Sequence, residues 1–146
     1  YEKIEYILEK WVEIWVTRFV FFRSRYSQWL PITEKKKERF TNIALEALEQ
    51  CGGLIPPEII WIDWWDPQHI RWDLYLLDVG ATAPLITDDV SRWVTILVGP
   101  EGWWSSEEIY KMNTYNTISV RISDRVLRTE TAGVVASAIF VQKMFS

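Results

Sequence analysis

Gly99-Pro100-Glu101-Gly102 carries the clearest chemical signal in the chain. Its glycines can take unusual backbone conformations or let a ligand approach the main chain, and its proline cannot continue a sheet ladder. A turn of this kind suits a ligand gripped by peptide groups. Other residues with chemical capability are sparse. His69 is the single histidine and Cys51 the single cysteine, so no metal site is expected and an internal disulfide is excluded. His69 closes Asp66-Pro67-Gln68-His69, which reads as a surface turn. Cys51 reads as a small core residue near a helix end. Arg23 and Arg25 lie in a polar loop, where they could meet phosphate or simply be solvated. The Lys35-Lys36-Lys37 run reads as a solvated helix face.

A strand before the turn and a helix after it would place it at the carboxyl end of a strand, the usual ligand position in α/β proteins. Trp93-Val94-Thr95-Ile96-Leu97-Val98 is apolar, rich in β-branched residues and too short for a helix, so it predicts a buried strand. Ser105-Ser106-Glu107-Glu108 then supplies an N-cap hydroxyl and early acids. Upstream, residues 2 to about 16 predict an amphipathic helix, with Ile4, Ile7, Leu8, Trp11, Ile14 and Trp15 on one arc. Residues 18–22 read as a strand, and a second helix runs from Thr33 or Glu34 to Gln50, stopped by Gly52-Gly53. Residues 58–65 fit either a short helix or a strand. Strands are expected at 72–78 and 118–122, and a last helix at 130–144. That helix carries Ala132, Gly133, Ala136, Ser137 and Ala138, small enough for close packing of a partner helix or of the chain's own sheet. No internal repeat or linker interrupts the order, which predicts one α/β domain over residues 1–146.

The totals narrow the setting. The 146 residues, 49% hydrophobic and 25% charged, suit a globular domain with a sizeable core. A net charge of -4 gives no basic footprint of the kind expected for tight RNA binding. No signal peptide and no membrane-length apolar run is evident, and the lone cysteine agrees with a reducing compartment, so a cytoplasmic protein without membrane contact is expected.

The segments Ile96-Leu97-Val98-Gly99-Pro100-Glu101-Gly102 and, after the next strand, Arg125-Val126-Leu127-Arg128-Thr129-Glu130-Thr131-Ala132 resemble LLVGPEGG(F)S and LG-x-RILRTETA. These mark the C-terminal half of the RsmE-type enzymes, SPOUT-class methyltransferases that methylate N3 of a uridine in small-subunit ribosomal RNA. The stretch from Glu9 to Val16 is similar to that family's KATELGV, and Glu38-Arg39-Phe40 through Gly52 to its ERW...EAAEQSGR, so the resemblance covers almost the whole chain. It implies a parallel sheet with helices on both faces, a C-terminal trefoil knot, a homodimer through the last helix, and S-adenosylmethionine held in the knot. Carried over to this sequence, it places the cofactor against Leu77, Gly99, Pro100, Glu101, Gly102, Ile122 and Leu127. Arg128 and Glu130 would lie nearest the reacting base, one offsetting negative charge and the other orienting or accepting a proton; alternatively the two pair and brace the knot loops. The family's separate N-terminal barrel, which does much of the RNA binding, is absent here, and Tyr1 stands where a methionine would open a chain. A trimmed chain that holds RNA only weakly on its own is therefore expected.

The departures from the pattern are of one kind. Trp103 replaces a second glycine after the turn, Trp104 a phenylalanine, and Trp11, Val12 and Trp15 replace Ala, Thr and Gly of KATELG; Ile122-Ser123 stands for LG and Gly53 for an arginine. A buried tryptophan hides roughly 150 to 250 Å², and forcing one into filled space costs about 1 to 3 kcal/mol or more. The tryptophans, ten in all, therefore need somewhere to go. Methyltransferase activity is therefore expected to be weak or lost, and S-adenosylmethionine to be held only if Trp103 does not fill the cofactor pocket. The alternative is an engineered or diverged non-catalytic scaffold in which Trp11, Trp15, Trp103 and Trp104 mediate self-association or contact a new partner.

Overall fold

The computed structural model describes residues 2–26, 31–84, 93–100 and 102–145. Four helices and five strands follow in the order α1 (Glu2–Glu13), β1 (Arg18–Arg23), α2 (Glu34–Gln50), β2 (Glu58–Trp64), β3 (Asp73–Leu77), β4 (Val94–Leu97), α3 (Ser106–Thr114), β5 (Thr117–Val120) and α4 (Thr129–Met144). A short 3-10 turn at Pro67–His69 precedes β3. The stretch that could have been helix or strand is β2, because it pairs in parallel with β1.

The helix ends follow from local chemistry. Thr33 accepts from the Lys36 amide at the start of α2, and Ser105 and Glu108 form a reciprocal capping box at the start of α3. α1 and α2 end alike. After α2, Gly52 at φ 77° donates to Glu49 while Gly53 donates to Leu48; after α1, Trp15 at φ 81° donates to Val12 while Val16 donates to Trp11. Both are left-handed helix stops that glycine normally occupies. Trp15 thus takes up a glycine conformation at a position where the family pattern has glycine, and α1 ends sooner than its apolar arc suggests.

Among the described residues all strand pairings are parallel, but they form two sheets, β1-β2 and β4-β3-β5. The single sheet expected from the sequence is thus not continuous, and Trp65, Trp104 and Phe22 cluster with Leu74, Leu76 and Leu97. A cavity of about 790 Å³ lies between the edge strands β1 and β4.

Alternate residues of β3 feed two cores. Tyr75 and Leu77 join Val120 of β5 and Ala132, Ala136 and Phe140 of α4, while Leu74 and Leu76 join Met112 and Ile109 of α3. Burial against Phe140 pushes the Tyr75 phenol above its ordinary value of 10.0, and the Asp73 carboxylate adds to the rise. The third core joins α1, α2 and β1 through Leu8, Val12, Phe19, Phe40 and Ala44. Trp11 stacks on Phe19 at 6.2 Å and lies against Gly133, where an added Cβ would meet the indole at 1.9 Å. One of α4's small residues is therefore spent on a contact within the chain. Cys51 is exposed, its thiol donating to the Leu48 carbonyl, because α2 ends before its last turn is covered. His69 is half-buried, with its carbonyl accepting from Arg18.

Candidate functional site

The parallel strands β3, β4 and β5 release their chains at the same end of the sheet, and three loops meet there. Leu77 is buried at the end of β3. Asp78 then donates its amide to Val120 of β5 at 2.9 Å, and its carboxylate accepts from the Gly80 amide at 2.8 Å, fixing a tight turn.

After β4, Gly99 and Pro100 are half-buried, and the Trp103 amide donates back to Pro100 at 3.0 Å. Glu101 lies outside the described residues. Trp103 has φ 64°, again the conformation glycine would take at this position of the family pattern. Its ring lies over Gly99, where a Cβ would come within 2.9 Å of Cζ3. Trp103 stays partly exposed, whereas Trp104 is buried and stacks on Phe22 at 5.9 Å. Of the two, Trp104 and not Trp103 lines the cavity between the sheets. At Gly102 the need for glycine is steric, since a Cβ would sit 2.8 Å from the Tyr26 carbonyl oxygen.

After β5, Arg121 donates to Ala83 at 2.8 Å and bridges Pro84. Ile122 and Leu127 rest half-buried on the α4 core, and among the described residues no hydrogen bond engages their main chains. Between them the Arg125 amide donates to Ser123. Thr129 then donates its hydroxyl to the Gly99 carbonyl at 2.8 Å, tying the start of α4 to the turn after β4. The anticipated cofactor residues Leu77, Gly99, Pro100, Gly102, Ile122 and Leu127 are thus spread over three adjoining loops at one end of the sheet.

Arg128 and Glu130 share the first turn of α4 but do not pair. Arg128 is exposed at the N-cap position. Glu130 turns towards α1: its Oε2 lies 3.7 Å from the Lys3 ammonium, and its carbonyl accepts from the Trp11 indole. That carboxylate oxygen is buried and has no hydrogen-bond partner among the described residues, a costly state that a ligand donor could relieve. The place Trp15 occupies is also intramolecular, its ring stacking on Phe145 at 4.9 Å. Sequence reasoning missed Thr129, Tyr26 and the burial of Trp104. Only the Thr of the RVLRTETA segment had a signal in the chain, as a hydroxyl beside the helix start.

This arrangement can hold a ligand through peptide groups and apolar side chains, with a guanidinium and a carboxylate beside it. Among the described residues no three His, Cys, Asp or Glu side chains gather to bind a metal, and no helix is long and apolar enough to cross a membrane.

Comparison with known proteins concerns the chain as a whole. The sequence model of the RNA methyltransferase domain matches residues 1–141. Ribosomal RNA small subunit methyltransferase E of Buchnera aphidicola subsp. Acyrthosiphon pisum is 29% identical over 153 residues, spanning 99% of this chain and 60% of that protein. Among solved structures, a probable rRNA-methyltransferase from Porphyromonas gingivalis is 29% identical with a TM-score of 0.83, covering 99% of this chain and 63% of that one. A putative methyltransferase from Legionella pneumophila, in complex with bound cofactor SAM, is 26% identical with a TM-score of 0.76, covering 96% and 61%.

Proposed function

The chain belongs to the family of RNA methyltransferase domains, and we propose on that footing that it binds S-adenosylmethionine at the carboxyl ends of β3, β4 and β5 and methylates N3 of a uridine in small-subunit ribosomal RNA. The observation that carries the reading is the convergence of the Leu77, Gly99–Gly102 and Ile122–Leu127 loops on the start of α4. The residues present fit such a cofactor. Unengaged peptide groups at Ile122 and Leu127 suit the polar edge of a nucleoside, and the side chains of Leu77, Ile122 and Leu127 suit its flat apolar faces. When bound, S-adenosylmethionine supplies a methyl group on a positively charged sulfur.

The protein's part is positioning and charge. Holding the uracil in line with the donor contributes most, since methyl transfer needs no covalent help from side chains. Arg128, exposed beside the site, offsets the negative charge that builds on the base as N3 loses its proton. Glu130 orients the base or takes that proton, for which it must leave Lys3, 3.7 Å away.

A trefoil knot and a homodimer belong to the same proposal. The bond from Arg121 to Ala83 supports threading of the C-terminal segment past the chain before β4. Ala138 and Gln142 remain exposed on α4 and leave a face for a second copy. RNA bound by a domain of net charge -4 would be held weakly without further contacts, and a ribosomal substrate puts the protein in the cytoplasm. The scaffold reading, with tryptophans serving only association, is less well supported: Trp11 and Trp104 are used inside the fold, and Trp103 covers Gly99 without entering the large cavity.

A calorimetric titration with S-adenosylmethionine tests the reading, with saturable binding near one site per chain expected. Arg128→Ala should leave that affinity intact while lowering methyl transfer to small-subunit ribosomal RNA about a hundredfold. Absence of binding at two temperatures would refute it.

A further inference from the structure

We propose that Arg23, Trp64 and Tyr26 form a stacking platform for unpaired nucleotides flanking the target uridine. The inference rests on the RNA methyltransferase reading and extends it to how the substrate is held. N3 lies on the pairing edge of uracil, so a uridine presented for methylation there must be out of a duplex, and its neighbours are readily unpaired with it. Proteins that hold unpaired RNA stack bases on aromatic rings and on arginine planes.

The structure offers both surfaces beside the site. The register of β1 on β2 shifts between Phe21 and Arg23, and the shift brings Arg23 opposite Trp64. Irregularities of this kind re-aim side chains at the ends of strands. The Arg23 guanidinium sits 4.6 Å from the centre of the Trp64 ring. Trp64 is 49% exposed and Tyr26 58%, so much of each ring is open to a base. The loop that joins Arg23 to Tyr26 is anchored without any ligand: the Arg25 amide donates to the Glu108 carboxylate, and Tyr26 packs its main chain against Gly102. From Gly102 the path continues through Gly99 and Thr129 to Arg128.

Charge points the same way. Four of the nine arginines, Arg25, Arg121, Arg125 and Arg128, lie in the loops at this end and Arg23 closes β1 beside them, whereas every lysine lies on a helix. Among the described residues no ion pair engages Arg25, Arg125 or Arg128. Acids share this end, Asp124 paired with Arg121 and Glu108 bonded to the Arg25 amide, so Arg125 and Arg128 are the cations there best placed to meet phosphate. Arginine suits the role because its plane can stack while its edge meets phosphate.

Fluorescence anisotropy with a short labelled single-stranded RNA containing uridine, at low salt, tests the platform. Trp64→Ala should weaken binding about tenfold, Trp64→Phe should keep most of it, and Arg23→Ala should weaken it severalfold. Trp72→Phe, at the opposite end of the strands, serves as the control and should bind like wild type. S-adenosylmethionine titration of the same variants should give unchanged affinity, which also shows that they are folded. Equal RNA affinity in wild type and Trp64→Ala, or an equal loss in Trp72→Phe, would overturn the platform. So would a wild-type protein that takes up the cofactor but no RNA. RNA binding that depends on Trp64 without any cofactor uptake would instead sink the methyltransferase reading and leave the platform standing.

Discussion

Replacing Gly133 by alanine sets two effects of opposite sign against each other. In the interior of a helix, alanine is favoured over glycine by about 0.8 to 1.0 kcal/mol, so α4 taken alone would be stabilised. In the folded chain the new Cβ would lie 1.9 Å from Cζ2, 2.3 Å from Cη2 and 2.7 Å from Cε2 of Trp11. The indole cannot easily retreat, being stacked on Phe19 and bonded through Nε1 to the Glu130 carbonyl. Overpacking against a fixed ring costs about 1 to 3 kcal/mol, and contacts this short belong at or beyond the upper end. The net expectation for Gly133→Ala is a loss of about 2 kcal/mol. Urea unfolding should show a lower midpoint with an unchanged slope. In a Trp11→Phe background the colliding atoms are gone, and the same substitution should become neutral or stabilise by up to about 1 kcal/mol, a coupling that a double-mutant cycle reads directly. A wild-type background in which Gly133→Ala raises the midpoint would show that Trp11 does not lie on Gly133.

Three further outcomes are expected. Gly102→Ala would place a Cβ 2.8 Å from the Tyr26 carbonyl, a main-chain atom that cannot swing aside, so S-adenosylmethionine affinity should drop at least tenfold while the fold, followed by circular dichroism, persists. Trp103→Gly removes a left-handed strain of about 1 kcal/mol but adds a similar chain-entropy cost, so the melting temperature should hardly move; the uncovered Gly99 peptide should bind the cofactor severalfold more tightly by calorimetry, and weaker binding would show that the indole helps to form the site. The Tyr75 phenol, raised by burial and by Asp73, keeps its proton in the folded state after the unfolded chain has begun to lose it. Its contribution is therefore complete below pH 10 and is lost as pH rises through the folded value, so stability followed by urea unfolding should decline above pH 10 and decline less steeply in Tyr75→Phe.

The chain itself determined its helices and most of its strands, because their signals are local. The arc of Ile7, Leu8 and Trp11, the Ser105 capping box and the Gly52 stop each depend on a few neighbouring residues, and the β-branched run at residues 93–98 needs only its own composition. The likeness of the GPEG and RVLRTETA segments to a known family was legible for the same reason, and with it the three loops of the candidate site. Tertiary structure alone decided whether residues 58–64 became a strand, since only pairing with β1 selects between the two. It also decided which tryptophan is buried. Trp103 and Trp104 are adjacent and alike in type, yet one covers Gly99 from outside and the other packs on Phe22, a choice made by residues eighty positions away in sequence. The split between the sheets, the seat of Trp11 on Gly133 and the meeting of Arg23 with Trp64 are of the same kind: each depends on two distant segments having the right shapes when they arrive, and a single stretch of sequence records only one of them.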